Sequence, residues 1–190
     1  MIRDLVLKNR TYRTFYQNEK ITMNTLKELI DLARVTSSGM NMQSLKYVLS
    51  NSEDKNEKIF NTLKWAGYLK DWDGPTEGEK PSAYIVMLQD LTLSKNSLWD
   101  SGLAAQSILL GAVEKGFGGC MFGNVDRKTL AEELQLGEEY SIIMVIALGK
   151  PKEVVKLEPL SQSGDIKYYR DEDGVHHVPK RALEDLILDK

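Results

Sequence analysis

The sequence predicts an α+β fold. Helical and strand periodicities alternate without the regular strand–helix–strand order of a parallel sheet. The two longest strand-like runs, within residues 84–88 and 141–148, are apolar throughout, and the helix expected between them is apolar nearly all the way round. Unbroken apolar strands suit a sheet covered on both faces. A sheathed helix must be central, covered by another subunit, or both. At 190 residues, 42% hydrophobic and 28% charged, the chain is expected to form one domain over 1–190. A chain of this size buries roughly 70% of the surface its unfolded form exposes, so its core needs no disulfide or structural metal.

Each element has its own signal. Leu26, Leu29, Ile30 and Ala33 recur at helical spacing behind the possible N-caps Thr22, Asn24 and Thr25, predicting a helix over about 23–35. The polar stretch Thr36 to Gln43 cannot continue it, and Lys46 to Leu49 reads as a strand. A helix over 55–66 places Ile59, Phe60 and Leu63 on one face. Residues 66–82 are punctuated by Gly67, Gly74, Pro75, Gly78 and Pro81 yet carry Tyr68 and Trp72, which suits either a lid or a surface loop anchored by its aromatics. In the helix over 100–115, Asp100 and Lys115 suit the helix dipole, Gly116 ends it, and Gly102, Ala105 and Gly111 permit close approach. Asp126 caps a helix through Leu134, closed by Gly137. Ile166 to Arg170 and Val175 to Val178 around Asp173-Gly174 predict a hairpin, after which Pro179 opens a helix carrying Leu183, Leu186 and Ile187.

Composition excludes several functions. With 25 Lys+Arg against 28 Asp+Glu and a net charge of −3, there is no general attraction to nucleic acid or anionic lipid. The N-terminus lacks a signal-peptide pattern, and the longest apolar run, Ile142 to Leu148, is far short of a membrane span. A soluble, cytoplasmic protein is expected. The only histidines, His176 and His177, are adjacent and would face opposite sides of a strand, one packed and one solvated, so no transition-metal site is expected. Motifs for a nucleophilic serine or a P-loop are missing. Cys120 reads more readily as a small hydrophobe at a helix-to-strand corner than as a nucleophile. Any enzyme built from these residues would leave the chemistry to a cofactor. Two basic clusters offer anion sites: Arg10 and Arg13 with the Thr11 hydroxyl, three apart as on a helical turn, and Lys180 with Arg181.

Four segments carry a family resemblance. Asn9 to Phe15 resembles the Arg-Arg-Ser-x-Arg-x-Phe opening of the nitroreductase family of FMN-dependent oxidoreductases. Ser37 to Gln43 resembles its Pro-Ser-x-x-Asn-x-Gln-Pro loop. Asp100 to Gln106 with Gly116 to Gly119 resembles its central-helix signature, and Val145 to Pro151 its late strand and Gly-x-Pro ending. The likeness runs in order from about residue 2 to 188. Asn9 stands where the first Arg is common, Ser37 and Ser44 replace two prolines, and the 66–82 loop has its own text.

The resemblance implies a nitroreductase-like α+β fold: a central, mostly antiparallel sheet flanked by helices, with the buried central helix at a dimer interface. It implies a homodimer with two FMN molecules, which carry the chemistry without a catalytic side chain. Arg10 and Thr11 would bind the FMN phosphate or ribityl chain, with Lys180 and Arg181 reaching the phosphate, and Arg13 would lie beside the N1 and C2 edge of the ring. Ser37, Ser38, Gly39, Asn41 and Gln43 would meet the ring from the other subunit, while Met121, Phe122, Gly123 and Asn124 would line its opposite face. The implied activity is hydride transfer from NADH or NADPH through flavin to a small-molecule electron acceptor such as a nitroaromatic or quinone, in ping-pong order. A specialised flavin reductase or dehalogenase, or a flavin-binding redox sensor with negligible turnover, are the alternatives.

Overall fold

The centre of the domain is a pair of long antiparallel strands, β3 (Ala83–Asp90) and β5 (Tyr140–Pro151). The structure, a computed structural model, describes residues 1–189, with Leu98 described by its backbone alone. All eight residues of β3 are buried, and because side chains alternate across a strand, both faces of the sheet are apolar. Ile85 and Met87 face one core with Ile146 and Leu148; Tyr84, Val86 and Leu88 face a second with Val145 and Ala147. The register shifts between Met87 and Leu88, where a bulge bends the pair. β2 (Leu45–Ser50) lies outside β3, while β4 (Gly118–Phe122) and the two-residue β1 (Phe15–Tyr16) share the far edge of β5. Every pairing in this sheet is antiparallel.

Helices cover both faces, as the apolar strands require. α2 (Met23–Arg34), capped by the Thr22 hydroxyl on the Thr25 N–H, buries Leu26, Leu29 and Ala33 in the first core beside α4 (Leu98–Glu114). They approach so closely that a Cβ on Gly111 would lie 2.4 Å from Leu32 Cδ1, whereas one on Gly102 would meet open space. α3 (Glu53–Phe60) and α5 (Arg127–Glu133), the latter capped by Asp126, cover the second core. α1 (Ile2–Lys8) packs against α4. On α4, Ala104, Ala105, Ile108, Leu109 and Ala112 are buried, while Trp99 is 76% and Leu103 48% exposed within the single chain. Helix α4 is therefore central, with one apolar face left open.

Beyond β5 a small second sheet forms: β6 (Val155–Pro159) pairs in parallel with β8 (His176–Lys180), and β7 (Tyr169–Arg170) pairs antiparallel on the other side of β8. The expected hairpin exists, shortened, with Gly174 at φ +78° in its turn. The helix expected from Pro179 does not form. Pro179 lies inside β8, opposite Glu158. The His176 N–H bonds Val154 O on the β6 side, so by alternation the ring nitrogen of Pro179 faces the β7 side, past the end of β7, where a missing N–H breaks no ladder bond. Only a 3-10 turn at Glu184–Leu186 follows, with Leu183, Leu186 and Ile187 exposed. The helix expected over 55–66 also stops early, at Phe60, and leaves Trp65 in the loop. Among the described residues no helix is long and apolar enough to cross a membrane.

Gly119 ties these parts together. It pairs with Leu148 in the sheet and bridges to Thr11, and an added Cβ would lie 2.5 Å from the backbone oxygen of Ala147. A backbone oxygen inside a sheet cannot yield, so Gly119→Ala is expected to destabilise the fold by about 1–3 kcal/mol, the usual cost of overpacking. Urea denaturation with an unchanged midpoint would contradict this placement.

Candidate functional site

α1 ends at Lys8, and Asn9 leaves it in an extended conformation. Residues 10–13 therefore run along β4 as extended chain, held by the Tyr12 N–H on Gly119 O at 3.0 Å, and not as a helical turn. Arg10, Thr11 and Arg13 nevertheless line one cleft of about 270 Å³. Gln106 of α4, Met121 of β4 and Tyr168, His176 and Lys180 of the C-terminal arm complete its walls. Arg10 donates from Nη2 to Val6 O at 2.6 Å, while its buried Nε has no partner among the described residues.

Arg13 is 8% exposed. Its guanidinium lies 4.5 Å from the centroid of the Tyr168 ring, and its Nη1 is 3.3 Å from His176 Nε2. Its Nε and Nη2 have no hydrogen-bond partner among the described residues. Behind it lies the Glu153 carboxylate, which accepts from the backbone N–H groups of Arg13 and Thr14 and from Arg170 Nη2 at 3.2 Å. The Arg170 guanidinium in turn sits 4.4 Å above the Trp72 ring.

The polar loop 36–43 forms a second cleft of about 260 Å³, lined by Ser37, Ser38 and Gln43 with Leu45, Tyr47 and Asp100. Asp100 is the staple: its carboxylate accepts from the Ser38 hydroxyl at 2.6 Å and the Gly39 N–H at 2.8 Å, and Ser38 Oγ accepts from the Gln43 N–H at 2.9 Å. Met40, Asn41 and Gln43 all have positive φ, between 50° and 55°. Left-handed backbone at several non-glycine residues in one short loop stores strain that its polar contacts must offset. Burial, reinforced by the charge of Asp100, pushes the Tyr47 hydroxyl up to about 12.

The site residues expected from sequence thus fall into distinct places. Arg10, Thr11, Arg13, Met121 and Lys180 share the first cleft; Ser37, Ser38 and Gln43 share the second, with Gly39 and Asn41 on the same loop. Phe122 turns into the core, its ring 4.6 Å from Trp65. Gly123 and Asn124 follow on a loop, their carbonyls bonded by Arg127 and by the Lys64 N–H. Arg181 lines an adjoining surface depression with Leu157 and Glu184, and Lys180 lines both that depression and the first cleft. Tyr168, His176, Glu153 and Asp100 complete the two sites without having been singled out for them. Cys120 is buried in β4, and burial pushes its thiol up to about 12, which disfavours the thiolate a nucleophile needs. The aromatics of the 66–82 loop are anchors: Trp72 packs edge-on to Trp65, and Tyr68 lies 5.0 Å from Tyr168.

The adjacent histidines face opposite ways on β8, as expected, but neither is freely solvated. His176 is buried, and burial together with the charges of Arg13 and Arg170 lowers its pKa to about 4. His177 stacks on Tyr169 and lies 2.8 Å from Glu158 and 2.9 Å from Asp171, and hydrogen bonds to these carboxylates raise its pKa.

Comparison with known proteins gives a consistent picture. The sequence model described as the Nitroreductase family matches residues 6–73 and 81–150, leaving the tip of the aromatic loop and the whole C-terminal arm outside the match. MhqN of Bacillus subtilis (strain 168), whose name includes NAD(P)H nitroreductase, is 21% identical, the match covering 78% of this chain and 87% of that protein. A nitroreductase family protein from Streptococcus pneumoniae TIGR4 superposes with a TM-score of 0.72 at 16% identity, covering 100% of both chains. The NADPH:FMN oxidoreductase of Vibrio harveyi, solved in complex with NAD+, superposes with a TM-score of 0.67 at 21% identity over 85% of this chain and 74% of that one.

The histidine pair makes stability depend on pH in two directions. His177 binds its proton more tightly folded than unfolded, so its contribution is fully present below its unfolded pKa of about 6.5 and is lost as pH rises through the higher folded value. His176 resists protonation when folded, so it costs stability as pH falls from about 6.5 towards about 4. Replacing His177→Gln is expected to flatten the decline in Tm between about pH 6 and about pH 8. Identical Tm profiles for wild type and variant would refute the assigned carboxylate clamp.

Proposed function

Because the chain belongs to the nitroreductase family, we propose that it is an FMN-dependent oxidoreductase. In this reading hydride passes from NADH or NADPH by way of bound FMN to a small acceptor such as a nitroaromatic or quinone, in alternating half-reactions. The observation that carries the proposal is the first cleft, where the donors Arg10, Thr11, Arg13 and Lys180 converge with no carboxylate among the lining residues. A buried guanidinium nitrogen without a partner is costly. Arg10 Nε and the free N–H groups of Arg13 fit an anionic, acceptor-rich ligand.

FMN, when bound, supplies the hydride-accepting and hydride-donating ring. The chain supplies everything around it. Arg10, Thr11 and Lys180 would hold the phosphate and ribityl chain, the guanidinium of Arg10 offering the forked geometry that phosphate oxygens match. Arg13 would set positive charge beside the ring edge on which negative charge grows during reduction. Met121, half exposed in the cleft, offers an apolar wall for the ring.

The two clefts share no lining residue, so the serine loop and the arginine cluster of one chain do not meet around one ligand. A homodimer in which Ser37, Ser38, Gly39, Asn41 and Gln43 of one protomer face the arginine cluster of its partner would unite them. The exposed Trp99 and Leu103 of α4, with Ile2 and Val6 of α1, supply an apolar surface for it. The anchored aromatics at 65–72 favour a fixed wall over a closing lid.

Purified protein is expected to be yellow and to release a chromophore with the mass of FMN, and to oxidise NADH or NADPH when a quinone is supplied. A colourless protein that takes up no FMN on reconstitution would overturn the proposal. Arg10→Ala is expected to weaken FMN binding by roughly ten- to a hundredfold, the worth of one charged hydrogen bond. Full flavin retention after gel filtration would remove Arg10 from the site.

A further inference from the structure

We infer that His176 is the positioning residue for Arg13, accepting a hydrogen bond from its guanidinium and so aiming the remaining N–H groups into the cleft. The flavin half of this inference rests on the function proposed above; the protein half does not. A guanidinium can only donate, so the 3.3 Å contact between Arg13 Nη1 and His176 Nε2 requires a lone pair on Nε2. The proton of the neutral ring must then be on Nδ1. That atom has no hydrogen-bond partner among the described residues and lies 3.9 Å from Glu153 Oε2, close enough to favour a proton on that side.

Two contacts fix the guanidinium and a third holds the backbone that carries it. His176 takes one N–H, the Tyr168 ring covers its face, and the Glu153 carboxylate holds the backbone N–H of Arg13 itself. All three partners lie beyond residue 150, outside the family match. What is left unbonded on Arg13 is Nε and Nη2, on a side chain that lines the cleft. Removing the acceptor would leave the charge in place and free its direction. The role is therefore distinct from simple packing: a side chain of similar size that can accept should restore it, and one that cannot should not.

Two measurements test this. Long-range proton–nitrogen NMR on the apoprotein, which has only two histidines to assign, is expected to show His176 with an unprotonated Nε2 and a protonated Nδ1, and Arg13 with slowed guanidinium rotation. The opposite tautomer, or a freely rotating Arg13, overturns the inference whether or not flavin binds. In the flavin-loaded protein, His176→Leu is expected to lose about tenfold in preference for reduced over oxidised FMN, about 30 mV in the two-electron potential. His176→Gln, which can accept through Oε1, should restore most of it, and Arg13→Ala should lose at least as much as His176→Leu. A loss with Arg13→Ala but none with His176→Leu refutes the positioning role alone. No loss with Arg13→Ala refutes the proposed place of Arg13 at the flavin, while the NMR result still decides whether His176 holds it.

Discussion

One buried carboxylate joins the parts of this molecule that are farthest apart in sequence. Glu153 sits between β5 and β6, where the chain leaves the main sheet for the small one, and its side chain is only 5% exposed. A carboxylate so placed is tolerable only if its lone pairs are filled. They are filled from two directions, by the backbone N–H groups of Arg13 and Thr14 and by Arg170 of β7, and the Arg170 guanidinium in turn rests on the Trp72 ring. The N-terminal segment, the C-terminal arm and the aromatic loop are therefore held to one point, and the arginine cleft is the space between them. Its shape follows from satisfying one charge.

The second site obeys the same logic on a smaller scale. Asp100 opens α4, where the helix dipole welcomes a negative charge, and its oxygens hold Ser38 and the Gly39 N–H. The loop can then keep Met40, Asn41 and Gln43 in left-handed conformations that their side chains disfavour. In both sites an acidic residue at the end of a regular element fixes an irregular segment.

How much of this was legible in sequence depended on how local the cause was. The helix over 23–35, the two buried strands and the sheathed helix follow from periodicity and caps, and each formed within a few residues of its expected bounds. Arg10, Thr11 and Arg13 were found as a cluster, though on extended chain and not on a helical turn. What escaped were features created by long-range pairing. β6 is too short and polar to announce itself until β8 lies beside it, and Pro179 signals a helix start unless one knows that β7 ends before reaching it. Glu153, Tyr168 and His176 have no sequence signal linking them to Arg13, because they lie 140 or more residues away and their roles arise from contact alone. Phe122 shows the converse: next to Met121 in sequence, it turns into the core and not into the cleft.

The burial of Cys120 also has a practical side. The only thiol in the chain is in β4 between the second core and the cleft, and burial holds it as the protonated, unreactive form. Alkylating and thiol-labelling reagents are therefore expected to act far more slowly on it while β4 stays paired with β5 than after the strand has left the sheet. The chain thus carries a single-site reporter of the opening of the sheet, and a background against which a second cysteine on the surface is expected to take a label well before Cys120 does.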